Sequence, residues 1–247
     1  MSKSIYAIGD IHGQHSELLR ALELIEADGG PDAEVVFIGD YTDRGPASSH
    51  VLDTLIDGLA KGRPWHCLKG NHDRMFSWFM RDYPLHDAYL PVYLYWLHER
   101  LGGDTTLASY GIKMVETNRQ TAVHALAKAA VPQAHVDFLN GLEHSFETDD
   151  LFFAHAGIQP GIALDEQTEH DLLWIRKEFH VDKRDHGKLI VHGHTPVETA
   201  THYGNRVNID AGAGYGRPLA AVVFQGRNCW SLTDQGRAPL TPADGTP

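Results

Sequence analysis

Residues 5–13, IYAIGDIHG, decide the fold: a short apolar run containing Ile5 and Ile8 stops at Gly9-Asp10. Such a run, rich in β-branched residues and bounded by a turn signal, reads as a buried strand running into a loop. A helix should follow, because Leu18, Leu19, Leu22 and Ile25 recur at helical spacing within 14–27 and Asp28-Gly29-Gly30-Pro31 supplies a stop. The pattern then repeats. A strand over 34–38 ends in Gly39-Asp40, a helix over Ser48–Ala60 carries Val51, Leu52, Leu55, Ile56 and Leu59, and a strand over 65–68 ends at Gly70-Asn71. Strands alternating with helices predict βαβ units, an α/β class and a largely parallel sheet. Ligands of such sheets bind beyond the carboxyl ends of the strands.

From about 81 to 149 the pattern changes to helix and loop, which reads as a helical cap inserted into the domain. It holds an aromatic-rich piece, 89–96, and an alanine-rich helix over 121–130. The aromatic stripe at helical spacing is expected to pack as core, with a substrate platform as the alternative. Strand signals return at 151–153, leading into His155-Ala156-Gly157. They recur at 189–191 before His192-Gly193-His194, at 207–209 before Asp210-Ala211-Gly212, and at 219–224 and 228–232. Residues 235–247, with three prolines and two glycines, read as a flexible tail. The expectation is one domain over 1–234 with a single core.

Bulk properties narrow the function. A chain of 247 residues, 42% hydrophobic and 22% charged, is an ordinary globular protein. A formal charge of -12 argues against general nucleic-acid binding, and a phosphate substrate then needs a local cationic centre. No run approaches membrane-spanning length, and the first residues lack the apolar stretch of an export signal, so the expected location is the cytoplasm. The two cysteines, Cys67 and Cys229, are expected as reduced, packed thiols.

Five strand ends deliver residues of metal-ligand type: Asp10 with His12, Asp40, Asn71, His155 and His194. One histidine among 17 means little, but each of these candidates sits beside a glycine at the end of a strand, a coincidence that packing does not explain. Carboxylate, imidazole and amide oxygen together suit manganese, iron or zinc better than calcium, and no cysteine joins the set. Six ligating residues suit two ions sharing a bridging carboxylate, about 3.5–4 Å apart, a clamp for in-line displacement at phosphorus. Water bound there has its pKa lowered from about 15.7 towards about 7 and serves as the nucleophile.

The motifs GDIHG, GDYTDRG, GNHD, HAG and GHT, in this order over roughly 4–225, resemble those of the metal-dependent phosphoprotein phosphatases of the calcineurin-like superfamily, bacterial type. The resemblance implies a sandwich of two mixed β-sheets flanked by helices. It implies that Asp10, His12 and Asp40 bind one divalent ion, and that Asp40 as bridge, with Asn71, His155 and His194, binds a second. Manganese is expected before iron or zinc. It further implies that Arg44, Arg176 and Asn71 hold the phosphate, that His72 donates a proton to the leaving oxygen, and that Asp43 orients His72; His192 is left structural. Two details depart from the eukaryotic members: Asp73 stands where they have glutamate, and HAG replaces HGG. The implied activity is hydrolysis of phosphoserine or phosphothreonine in a protein or peptide. The enzymatic rival is a symmetrical bis(5'-nucleosyl)-tetraphosphatase, and a non-catalytic regulatory module is the third reading. The oligomeric state is left open.

Overall fold

The computed structural model describes residues 3–113 and 120–242. The first half of the chain runs β1 (Ile5–Ile8), α1 (His15–Gly29), β2 (Val35–Phe37), α2 (Ser48–Ala60), β3 (Trp65–Cys67), α3 (Asn71–Phe79), α4 (Gly103–Ser109), α5 (Gln120–Ala130) and α6 (Gln133–Gly141). The second half runs β4 (Ser145–Glu147), β5 (Leu151–Ala154), α7 (Glu169–Trp174), α8 (Lys177–His180), β6 (Leu189–His192), β7 (Thr201–His202), β8 (Arg206–Asn208), β9 (Ala221–Gln225), β10 (Asn228–Thr233) and β11 (Gly236–Leu240).

Alternation along β1 sets the layers. Tyr6 and Ile8 join a core with Leu18 and Ile25 of α1 and Val51, Leu52 and Leu55 of α2. Ile5 and Ala7 face the other way, into a core shared with Phe153 of β5, Val191 of β6, Val207 of β8 and Phe224 of β9. A third cluster joins Phe152 and Ile190 to Leu172, Leu173 and Phe179 of α7 and α8. Successive side chains of a strand point to opposite faces, so the three clusters describe four layers: helices, sheet, sheet, helices. This is the sandwich that the resemblance implies.

One sheet has the order β11-β10-β9-β1-β2-β3, the other β4-β5-β6-β8-β7. Both are mixed. The pairs β1/β2, β2/β3, β5/β6 and β6/β8 are parallel, whereas β9, β10 and β11 add to β1 antiparallel. The largely parallel sheet expected from the first βαβ units therefore holds only for their own strands. After β8 the chain crosses to the first sheet and ends in the hairpins β9/β10 and β10/β11, which carry no helix.

Three local expectations change. The segment 89–96 is a series of turns, not a helix: Leu94 and Trp96 are buried, while Tyr89, Tyr93 and Tyr95 are exposed. Asn71, expected to end a strand, opens α3, a helix absent from the sequence reading. The loose tail expected from 235 is a strand over Gly236–Leu240, with Leu232 opposite Arg237 and Cys229 opposite Leu240. Pro239 is tolerated because β11 is an edge strand, and Arg237 anchors it by a 2.7 Å ion pair to Asp28. Residues 243–247 of that tail, and 114–119 of the expected cap, lie outside the described residues. The helices of the insertion add Leu107, Val123 and Leu139 to the same core as α1 and α2. Among the described residues no helix is long and apolar enough to cross a membrane.

Candidate metal centre

The loops after β1 and β2 are laced together by their backbones. The N–H groups of Ile11 and His12 both donate to Asp40 O, and Gly13 N–H donates to Tyr41 O. Asp73, at the third position of α3, ties the second loop to the helix start. Its carboxylate accepts from the backbone N–H of Asp40, Tyr41 and Gly70 at 2.8, 3.0 and 3.0 Å. These bonds hold unusual backbone geometry. Among the described residues, the non-glycine residues with left-handed φ are His12 (47°), Asp40 (52°), Asp43 (73°), Arg44 (67°) and His194 (65°). Each such residue costs on the order of 1–3 kcal/mol. All five belong to the sequence-derived site, so local strain is concentrated where the side chains must converge.

Asp40 occupies the middle of the centre. Its Oδ2 lies 3.5 Å from His12 Nε2 and its Oδ1 3.5 Å from His155 Nε2, so one carboxylate stands between imidazoles from the two sheets. His12 Nδ1 lies 2.9 Å from Thr42 O, and His155 Nδ1 2.9 Å from Ile38 O. A carbonyl only accepts, so each Nδ1 carries the proton and each Nε2 presents a lone pair to the centre. Asn71 Oδ1 is 2.9 Å from His155 Nε2 and 2.8 Å from His194 Nδ1. Asp10 Oδ2 accepts from His194 N–H at 3.0 Å. A side chain at position 193 would run into Asp10 Oδ1, which is why glycine precedes His194.

All six expected ligands are therefore buried together, and two tight groups stand out: His12 with Asp40 and His72, and Asp40 with His155 and His194. His72, expected only as a proton donor, thus stands close enough to count as a further ligand-type atom. Asp10 stands outside both tight groups.

The charges of this centre call for a cation. Burial, then the neighbouring carboxylates of Asp210 and Asp40, push the Asp10 carboxyl well above its ordinary range. Asp210, buried beyond β8 and not among the sequence-derived candidates, is pushed up to about 6, mainly by burial. Burial also works against the charge of Asp40, but the imidazoles of His155, His72, His12 and His194 hold its carboxyl well below the usual range. Burial lowers His12 and His194 far below the usual imidazole range, helped by Arg44 at the first and by His155 and Arg176 at the second. Neutral imidazoles around an ionised carboxylate are the protonation states metal ligands need. Asp10 Oδ1 and His194 Nε2 are buried without a hydrogen-bond partner, and lone pairs of His155 and Asn71 face one another. The donor set thus fits divalent ions of the borderline kind.

Around the centre stand the groups expected to handle phosphate and protons. Arg44 Nη1 is 2.5 Å from His12 Nε2, and its Nη2 is 3.2 Å from His72 Nε2. Arg176 lies exposed at the break between α7 and α8, its Nη1 donating to Thr195 Oγ1 at 3.3 Å in the GHT loop. His72 Nδ1 is 2.7 Å from Asp43 Oδ2. Asp43 in turn accepts from Trp96 Nε1 at 2.9 Å and from Thr106 Oγ1 at 2.7 Å. Trp96 and Thr106 come from the insertion. Thr106 lies in GGDTTLASYG (102–111), a stretch that, with the tryptophan-bearing segment before it, resembles bacterial protein phosphatases, but the sequence assigns neither residue a role; the signal for their roles is that a buried carboxylate needs donors. His192 is buried against Arg206, 3.0 Å away, and turned from the centre.

A two-sheet α/β sandwich whose strand-end loops gather carboxylates, imidazoles and guanidinium groups defines the class of metal-dependent phosphoesterases. The sequence profile described as calcineurin-like phosphoesterase matches residues 3–213, and the chain belongs to that family. It is 29% identical over 238 residues to the bis(5'-nucleosyl)-tetraphosphatase PrpE [asymmetrical] of Halalkalibacterium halodurans, covering 88% of each chain. Its fold is similar to that of the cold-active protein-tyrosine phosphatase of a Shewanella species, at a TM-score of 0.63 and 17% identity, over 98% of this chain and 81% of that one. A protein serine/threonine phosphatase of Saccharomyces cerevisiae is similar at a TM-score of 0.57 and 15% identity, over 100% and 82%.

Proposed function

We propose that the protein hydrolyses a dinucleoside tetraphosphate asymmetrically, to a nucleoside monophosphate and a nucleoside triphosphate, in the cytoplasm. The likeness to the Halalkalibacterium halodurans tetraphosphatase over 88% of both chains carries this reading. The dinucleotide reading of the sequence points to the symmetrical cleavage; the relative is named asymmetrical, and the proposal follows the relative. Two guanidinium groups beside a centre that would hold divalent ions suit a chain of several phosphates.

Asp10, His12 and Asp40 would hold one divalent ion, and Asp40, Asn71, His155 and His194 a second, manganese being the first candidate. When bound, such ions supply Lewis acidity and lower the pKa of water. Arg44 and Arg176, with the Asn71 amide, orient the phosphoryl group for in-line displacement. Asp43 keeps the proton on His72 Nδ1 and aims Nε2 at the leaving oxygen.

That last pair favours a second reading. A departing polyphosphate leaves as a stable anion and needs little protonation, whereas the alkoxide of serine or threonine needs a proton donor. The His72–Asp43 pair therefore also suits hydrolysis of phosphoserine or phosphothreonine peptides. The deciding experiment uses metal-stripped protein, with and without manganese, on diadenosine tetraphosphate and on a phosphothreonine peptide. Manganese-restored release of AMP and ATP supports the first reading. Preferential peptide dephosphorylation replaces it with the second, and metal uptake without turnover of either leaves a binding module.

A further inference from the structure

One exposed aromatic ring at the rim has no part in metal binding, phosphate binding or proton transfer. Tyr215 closes the short 3₁₀ turn Ala213–Tyr215 after β8 and is 62% exposed. Its loop is pressed against the centre at Gly214, where a Cβ would lie 2.6 Å from His12 Cδ2 and 3.0 Å from Arg44 Cδ. The guanidinium carbon of Arg44 sits 4.9 Å from the Tyr215 ring centroid. The same guanidinium touches His12 and His72. One cation thus joins the reaction centre to the ring.

We propose that Tyr215 is the stacking face for a nucleobase of the substrate, and that this contact selects which phosphorus is attacked. The inference rests on the dinucleotide reading above. Arg44 packs against the ring, and the ring's exposure leaves surface open to a planar base. Reach then sets the cleavage point. A phosphate held by Arg44 lies close to the ring, and of the four phosphates the α-phosphate is the one joined to the base through a single ribose. With the base on Tyr215, the α-phosphate lies beside His12 and His72. Water adds to that phosphorus and its oxygen stays on the monophosphate. The bond to the α–β bridging oxygen breaks, its electron pair leaves with the triphosphate, and the water protons are released. The outcome is asymmetrical cleavage, imposed by a specificity residue and not by the metal ligands.

The test compares manganese-loaded wild type, Tyr215→Phe and Tyr215→Ala on diadenosine tetraphosphate and on inorganic tripolyphosphate, which has no base. Products are separated by chromatography. In Tyr215→Ala the KM for the dinucleotide should rise roughly 5- to 100-fold, the range that loss of one base–aromatic stack implies, and by far more than the KM for tripolyphosphate. Part of the product should shift from AMP and ATP towards two ADP. Tyr215→Phe, which keeps the ring, should retain the wild-type KM and product pattern. Equal losses on both substrates would make Tyr215 a structural support and overturn the proposal, as would a Tyr215→Ala enzyme matching wild type on the dinucleotide. A wild type that turns over tripolyphosphate but not the dinucleotide overturns the dinucleotide reading itself, and with it the nucleobase as occupant.

Discussion

The strand-end loops and the insertion between α3 and β4 meet at Asp43, and they specify their parts of the site in different ways. The loops carry ligands, glycines and strain within a few consecutive residues, so each is a self-contained motif. The insertion contributes through Trp96 and Thr106, which lie 53 and 63 positions from the carboxylate they bind. Chemistry is written locally here, while positioning is written at long range. Removing a ligand should abolish function and metal uptake together; removing a positioning donor should lower turnover and leave the metal in place.

The largest effect is expected at Asp40, which stands between both groups of ligands. Asp40→Asn should bring hydrolysis below detection and reduce the metal content measured by plasma mass spectrometry; full metal content with lost activity would assign Asp40 another role. His72→Asn is expected to lower kcat on a phosphomonoester by about 10²–10⁴, and by less on a tetraphosphate, whose leaving group needs little protonation. Because His72 also lies within one tight ligand group, its metal content must be measured alongside. Next comes the insertion. Trp96→Phe removes the Nε1 donor to Asp43 but keeps a ring to stack on Phe76, whose centroid lies 4.9 Å away. Turnover should fall by about 10- to 100-fold, the usual scale for outer-shell partners, with metal content unchanged. Wild-type turnover in Trp96→Phe would mean that the insertion only covers the site.

The smallest effect concerns stability. Burial, then the charges of Arg206 and Arg176, push the imidazole of His180 down to about 4 from an ordinary 6.5. The unfolded chain takes up a proton below pH 6.5 that the folded chain refuses until about pH 4. Stability tied to His180 is thus complete above pH 6.5 and declines as the pH falls towards 4. His180→Gln should flatten that part of the profile of denaturation midpoint against pH; an unchanged slope would place the acid sensitivity elsewhere.

The same contrast explains what the sequence reveals. Asp10, His12, Asp40, Asn71, His155 and His194 are legible because each sits at the end of a buried apolar run beside a glycine, and the structure gathers them. The layered fold is legible from β1 and β2, where apolar runs and helical periodicity coincide. The start of α3 is hidden because Asn71 and His72 are polar residues at a helix N-terminus, where periodicity has not yet begun. The segment 89–96 misleads for a related reason: aromatic spacing imitates a helical stripe, yet prolines at 84 and 91 and the Arg74–Asp87 ion pair favour turns. In 236–240, Pro239 suggests a tail because a sequence does not announce which strand will be an edge. The roles of Trp96 and Thr106 depend on tertiary proximity, whereas Asp210 carries the same strand-end pattern as His155, a strand signal followed by Ala-Gly, without being among the expected ligands.

Asp40 between His12 of one sheet and His155 of the other has a consequence beyond catalysis. Ions held on either side of that carboxylate would clasp the two sheets together, since Asp40 belongs to one sheet and His155 and His194 to the other, and thermodynamic reciprocity would then couple their affinity to how well those sheets pack. Phe153 is fully buried between the sheets and is not among the ligands, yet Phe153→Ala, besides costing about 3–5 kcal/mol of stability, should weaken metal uptake. In this family member the integrity of the hydrophobic seam and the occupancy of the metal site are one equilibrium viewed from two ends.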